Sequence, residues 1–247
     1  MRPLRSDFPG AVHHVMSRGN GKQNIFASDH DRTDFLSLLS TASEEFLWNC
    51  YSYCLMDNHF HILVQTPEGR LAEGMQFLNS VYSGGFNRTH DRVGHVMQGR
   101  YKSPLIRNDE HFLTVLRYMS LNPVSGGLVE DPADWRWSSH RALAGLCASP
   151  SFLKTGLTLG FFSSDMGKAI DEYIAFIQLG LPQAKSGDLE PRPSLKCLLG
   201  AFDEDSKNKA VVEAHFEYGY SMTEIARFLG VNCSSVSRRI NQTPDTA

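Results

Sequence analysis

Two strand-like runs, residues 49–56 and 59–66, are separated only by Asp57-Asn58. So short a connection predicts an antiparallel β-hairpin. Along the second run the side chains alternate, with Phe60, Ile62 and Val64 on one face and His59 and His61 on the other. The apolar face suits a covering layer of helices. Two imidazoles are then left together on the opposite face, where they are free to hold a divalent metal. A hairpin closed at Asp57-Asn58 also pairs Met56 with His59 and sets Cys54 opposite His61. Two other readings therefore stay open. Cys54, His59 and His61 could form three ligands of a zinc site, or the imidazoles could simply meet solvent and a backbone carbonyl.

The surrounding elements frame this hairpin. Residues 10–18 read as a strand ending in the Gly19-Asn20-Gly21 turn. Asp29 can cap a helix over 30–47, in which Phe35, Leu38, Leu39, Ala42 and Phe46 recur at helical spacing. A second helix runs from Leu71 to Asn87 with Leu71, Met75, Leu78 and Tyr82 on one face, and Pro104-Leu105-Ile106 reads as a fourth strand. A third helix spans Asp109 to Asn122, where Pro123 is expected to stop it. The order β-α-β-β-α-β-α predicts an α+β domain, its first six elements matching the ferredoxin-like split βαβ antiparallel sheet, with one added helix. In that helix Phe112, Val115, Leu116 and Met119 form an apolar stripe, while Tyr118 and Asn122 share another face, with His111 one heptad before Tyr118. A helical tyrosine can be mere packing. With a phenol pKa near 10 it becomes a nucleophile only when something activates it.

A chain of 247 residues accommodates such a domain and a smaller one. We expect the first over 1–146, closed by a capping turn and short helix at 131–146. A connector with a helix at 165–178 and a linker at 180–194 follows over 147–194. A small all-α helix-turn-helix domain is expected over 195–247. Within it, Ala226 and Gly230 have the spacing of a close helix crossing, and Val236 and Ile240 anchor a second helix. The outer face of that helix carries Ser234, Ser235, Ser237, Arg238 and Arg239 and could enter a major groove. Lys+Arg and Asp+Glu balance at seven each over 191–247, so a protein-binding bundle stays open beside the DNA-binding reading.

The net charge of −3 excludes a chain that holds nucleic acid by bulk positive charge but leaves room for a local basic groove. One candidate lies between positions 88 and 107, where Arg88, Arg92, Arg100, Lys102 and Arg107 accompany a single acid, Asp91. With His90, His95 and the interleaved Tyr101, this composition suits a single-stranded backbone and base stacking, or a solvated loop. Arg18 and Lys22 extend the patch, and Arg136 and Arg141 are weaker candidates. No apolar run reaches the roughly 18 residues of a membrane span. The N-terminus lacks an apolar signal core, and the five cysteines have no dense spacing, so a reduced, cytoplasmic protein is expected.

Four stretches carry a family resemblance: His14-Val15-Met16-Ser17-Arg18-Gly19-Asn20, Met56-Asp57-Asn58-His59-Phe60-His61, Gly94 to Ser103, and Leu116 to Val124 with Tyr118 inside it. The trailing Trp137-Ser138-Ser139-His140-Arg141 also fits. Together they resemble the single-tyrosine HUH transposases (IS200-like), in the branch associated with repetitive extragenic palindromes. The end of the chain is similar to the DNA-binding helical domain of replication initiators. The resemblance implies a metal-dependent endonuclease and strand transferase acting on single-stranded or hairpin DNA through a 5′-phosphotyrosine. It implies Tyr118 as nucleophile, His59 and His61 as ligands of Mg²⁺ or Mn²⁺, and Asn122 where relatives place a third polar ligand. Relatives include monomers and homodimers that exchange the tyrosine helix; the short link from Leu105 to Asp109 favours Tyr118 acting in cis. Two departures stand out. Ser83-Gly84-Gly85-Phe86 lies where relatives carry arginines, which predicts a kink or a weaker DNA contact, and Asp57 replaces a commoner proline and adds a carboxylate near the metal side. The alternative class is a catalytically silent, sequence-specific DNA-binding regulator.

Overall fold

The computed structural model of the chain describes residues 7–187, 189–192, 194–199, 204–216, 218 and 220–242. Residues 1–6, where the N-terminus reads as lacking a signal core, lie outside them. The chain divides into two compact units, Met1–Leu189 and Glu190–Ala247.

Three strands, β1 (Ala11–Arg18), β2 (Asn49–Leu55) and β3 (His59–Thr66), form an antiparallel sheet in the first unit, in the order β1-β3-β2. The hairpin closes in the expected register: the Met56 amide donates to the His59 carbonyl at 2.9 Å, and Cys54 lies opposite His61. β3 is the central strand, paired on both edges and buried without a break from Phe60 to Val64. The expected fourth strand at Pro104-Leu105-Ile106 is a correction. Only isolated bridges, Gly19 to Met97, Met16 to Lys102 and His13 to Leu105, follow the free edge of β1. Gly99 at φ +68° turns this segment, and Pro104 has no N–H to give a ladder, although its carbonyl accepts from the His14 amide at 3.0 Å.

Helices α1 (Asp29–Glu45) and α2 (Leu71–Thr89) cover one sheet face, where Val15, Phe60, Ile62 and Val64 join Phe35, Leu39, Met75, Leu78 and Tyr82 in a core. The cap of α1 is Ser28 rather than Asp29. Ser28 Oγ accepts from the Asp31 amide while the Asp31 carboxylate accepts from the Ser28 amide, a capping box. α2 continues as one helix through Gly84 and Gly85 to Thr89, with no break at the two glycines.

Helix α3 (Asp109–Ser125) covers the other face, where Tyr51 and Leu63 meet Phe112, Val115, Leu116 and Met119. Asn108 caps it by accepting from the His111 amide at 2.8 Å. Pro123 does not stop the helix. It sits in the last turn, where its fixed φ is helical and its missing N–H costs a single bond. Outside α3 lie α4 (His140–Leu143), α5 (Thr155–Leu159), α6 (Met166–Gln178) and α7 (Leu181–Ser186). Tyr173, Ile177 and Ala184 belong to the same core as Leu116 and Met119, so residues 147–189, expected as connector and linker, are part of the first unit. Pro182, which reads as a breaker, instead opens α7 in the first helical turn.

The second unit contains α8 (Leu195–Leu199), α9 (Glu204–Phe216), α10 (Met222–Leu229) and α11 (Cys233–Gln242), around Val211, Ala214, Ile225, Ala226 and Val236. A Ser221–Glu224 capping box starts α10, and Gly230 at φ +66° ends it in the left-handed conformation a tight turn into α11 requires. Among the described residues no helix is long and apolar enough to cross a membrane.

Candidate active site

β1, β3 and α3 converge on one groove. His59 and His61 leave β3 on the face covered by α3, and Tyr118 and Asn122 come down from α3 to meet them. The Tyr118 ring stands edge-on to His61 with centroids 5.4 Å apart, and the His59 and His61 rings are 5.0 Å apart. The groove has a volume of about 550 Å³, and its lining includes Arg18, His59, His61, Arg100, Lys102 and Tyr118. Side chains as distant in sequence as Arg18, His59, Arg100 and Tyr118 thus line one groove.

The donor set fits a divalent cation. Burial pushes the pKa values of His59 and His61 down, so both rings are neutral near pH 7. A neutral imidazole has one N–H. For His59, the Asn58 side-chain oxygen lies 2.7 Å from Nδ1 and claims it. The bare Nε2 then faces Asn122 Oδ1 at 3.3 Å, two acceptors with no proton between them. His61 Nε2 is buried and has no hydrogen-bond partner among the described residues. Three lone-pair donors without a proton to share form a site that a cation completes. The third donor is an amide oxygen; among the described residues no three His, Cys, Asp or Glu side chains are grouped to hold a metal. The zinc reading through Cys54 fails accordingly. Burial pushes the Cys54 thiol pKa up, and its Sγ lies 3.8 Å from the Met56 sulfur.

Other expected residues lie elsewhere. Tyr101 is a correction: its ring is buried in the core beneath the α1/α2 layer, so it presents no open face to a base. Arg92 lies 5.5 Å over the Phe86 ring and donates to Gln23, in a separate pocket with Asn24 and His90. Arg88 lines a cleft between α1 and α2 beside Asp31 and Asp34, and Arg107 is exposed just before α3. Asp57 points to Arg32, not to the metal side, and Arg32 is buried among Phe26, Trp135 and Trp137. Ser234 and Arg238 are exposed on α11, with Ser235 and Arg239 half-buried. Sequence reasoning did not single out Met16, Ser17 and Gln98, which also line the groove, or His14, which contacts His61. His14 follows another histidine in β1, and only the strand register shows which of the two faces β3's imidazoles.

Residues 9–121 match the family model described as transposase, IS200 like. The matched stretch, a little under half of the chain, holds His59, His61 and Tyr118 and ends just before Asn122. A putative REP-associated tyrosine transposase of Haemophilus influenzae (strain ATCC 51907 / DSM 11121 / KW20 / Rd) is 29% identical over 120 residues, 44% of this chain and 68% of that protein. The solved structure of a REP-associated tyrosine transposase bound to a REP hairpin shares the fold. Its TM-score is 0.50 at 18% identity, over 60% of this chain and 88% of that one. Family and relatives alike are tyrosine transposases, a class of enzymes.

Proposed function

We propose that the first unit is a ferredoxin-like HUH nuclease that cuts and rejoins single-stranded DNA beside a hairpin, using Tyr118 as nucleophile. One observation carries this reading: Tyr118, His59 and His61 line one groove of a single chain, and Asn122 Oδ1 lies 3.3 Å from His59 Nε2. The phenol oxygen attacks phosphorus in line, forming a bond to the 5′ phosphate as the bond to the 3′ oxygen breaks. Water takes up the phenol proton and hands one on to the departing oxygen, which becomes a free 3′-OH. The phosphotyrosine conserves the energy of the broken diester, so rejoining to another 3′-OH needs no nucleotide cofactor. Mg²⁺ or Mn²⁺ on His59, His61 and Asn122 would polarise the phosphate and offset its developing charge. Arg18, Arg100 and Lys102 line the groove and are exposed, placed to pair with the DNA backbone. Arg107 would extend that path, whereas Arg88, in its cleft between α1 and α2, lies apart from it.

The second unit would add recognition of a duplex or hairpin stem. α10 and α11 would act as a helix-turn-helix, with Ser234, Ser235, Arg238 and Arg239 towards the groove. The substrate would be a palindromic repeat folded as a hairpin with a single-stranded flank, met in the cytoplasm.

The test uses the full chain, labelled hairpin oligonucleotides with single-stranded flanks, Mn²⁺ or EDTA, and denaturing gels. A covalent protein–DNA band that needs metal and vanishes in Tyr118→Phe is expected. DNA shifted on a native gel, with no adduct under any condition, would favour the silent regulator. Cleavage regained by mixing Tyr118→Phe with His59→Ala chains would overturn action in cis.

A further inference from the structure

We infer that His14 is a positioning residue that sets the tautomer of His61: its ring accepts the Nδ1–H of His61 and so leaves the His61 Nε2 lone pair bare at the metal site. The inference rests on the metal reading above and extends it to a residue outside the ligand set. His14 Nε2 lies 2.9 Å from His61 Nδ1, and the two residues are 1% and 4% exposed. One hydrogen occupies this contact, so one ring donates and the other accepts. Were His14 the donor, His61 would carry its own hydrogen on Nε2. That N–H would be buried without an acceptor among the described residues, and it would turn a proton towards the cation. With His61 as donor, the same nitrogen is an acceptor that an ion satisfies.

The neighbouring ligand obeys the same rule. Asn58 Oδ1 holds the Nδ1–H of His59, so both ligands present Nε2. His14 is itself held in place. Met16 stands opposite His61 across the β1–β3 ladder, which makes His14 the diagonal neighbour of His61, and the His14 amide is tied to the Pro104 carbonyl at 3.0 Å. The partner of a ligating histidine is commonly a carboxylate or backbone carbonyl. A second neutral imidazole fixes the tautomer without adding charge.

Long-range ¹H–¹⁵N spectra of the ¹⁵N-labelled, metal-free full chain read the tautomer directly. The expected result for His61 is a protonated Nδ1 and a bare Nε2; a protonated Nε2 would overturn the inference. Mn²⁺ binding followed by electron paramagnetic resonance gives the second readout. His14→Phe should weaken it by about 10–100-fold. His14→Gln, whose amide oxygen can still accept, should stay near wild type. Wild-type affinity in a folded His14→Phe protein would refute the role. If that variant does not fold, the wild-type spectrum and the glutamine variant decide. Failure of the wild-type chain to bind Mn²⁺ would overturn the metal reading and the inference together, whereas wild-type binding that is lost in His59→Ala but indifferent to position 14 would overturn the inference alone.

Discussion

Lowering the pH from 7.5 to 5 should strip the first unit of much of its stability. His14, His111 and His140 are buried at 1%, 2% and 5% exposure. Burial pushes their pKa values down from the ordinary 6.5, to about 3, about 4 and about 4. In the unfolded chain each takes up a proton below about pH 6.5, while the folded unit keeps it neutral. The folded state thus binds fewer protons between those values, so stability is full above pH 6.5 and falls as pH drops. At pH 5 the linkage is about 2 kcal/mol for each histidine, or about 6 kcal/mol for the three. That is a large share of the roughly 5–15 kcal/mol typical of a domain. All three tryptophans, Trp48, Trp135 and Trp137, lie in the first unit, so urea unfolding followed by their fluorescence reports on it alone. The unfolding midpoint should fall steeply with pH. His140→Gln should start lower at neutral pH but lose about a third of the pH dependence. A midpoint that stays flat from pH 7.5 to 5 would refute the reasoning.

Gly84→Ala and Gly85→Ala should each stabilise the protein by about 1 kcal/mol and raise Tm by about 2–4 °C, because a Cβ meets only Arg88 Nη1 at 3.5 Å at the first and nothing within 4 Å at the second. Gly180→Ala should do the opposite, losing about 1–3 kcal/mol in the same melt, since its Cβ would sit 2.6 Å from Arg117 Cδ and 2.7 Å from Leu121 Cδ1. Under the helix-turn-helix reading proposed above, Arg238→Ala should weaken hairpin binding about equally for all sequences and lower the slope of log affinity against log salt by about 1. Titrations at several salt concentrations measure that slope.

The hairpin was legible because its rules are local. A two-residue turn and strict alternation determine register, and with register come the shared face of His59 and His61 and the pairing of Cys54 with His61. The helical spacing of Leu71, Met75, Leu78 and Tyr82 worked for the same reason. What failed depended on partners remote in sequence. Tyr101 reads as an exposed aromatic among basic residues, yet the bridge of Lys102 to Met16 turns its ring into the core. Asp57 reads as a carboxylate near the metal, yet Arg32 from α1 claims it. Pro123 and Pro182 read as breakers, but proline is tolerated in the turns at helix ends. The resemblance named Tyr118 as nucleophile, although nothing in its own helix distinguishes it from packing.

The segment read as a connector turns out to govern how the tyrosine helix is held. One side of α3 carries Tyr118 and Asn122 to the groove. The other side is gripped by later parts of the same chain. The Arg117 guanidinium lies 3.8 Å over the Phe176 ring, and Ser120 Oγ meets the Tyr173 hydroxyl at 3.0 Å. That hydroxyl also lies 2.9 Å from His140 Nδ1, which joins α3, α4 and α6 in one buried network. α7 follows Gly180, where the absence of a side chain makes room for Arg117 and Leu121. A buried polar network is costly to leave half-satisfied, because each orphaned group keeps its desolvation penalty. Exchanging α3 alone between two chains would break the network at Ser120 and uncover Phe176. An exchange that kept it would have to carry residues 140–186 along with the helix. Under the function proposed above, the grip of α4, α6 and α7 is therefore a physical reason for Tyr118 to serve His59 and His61 of its own chain, and a stronger one than the shortness of the link that precedes α3.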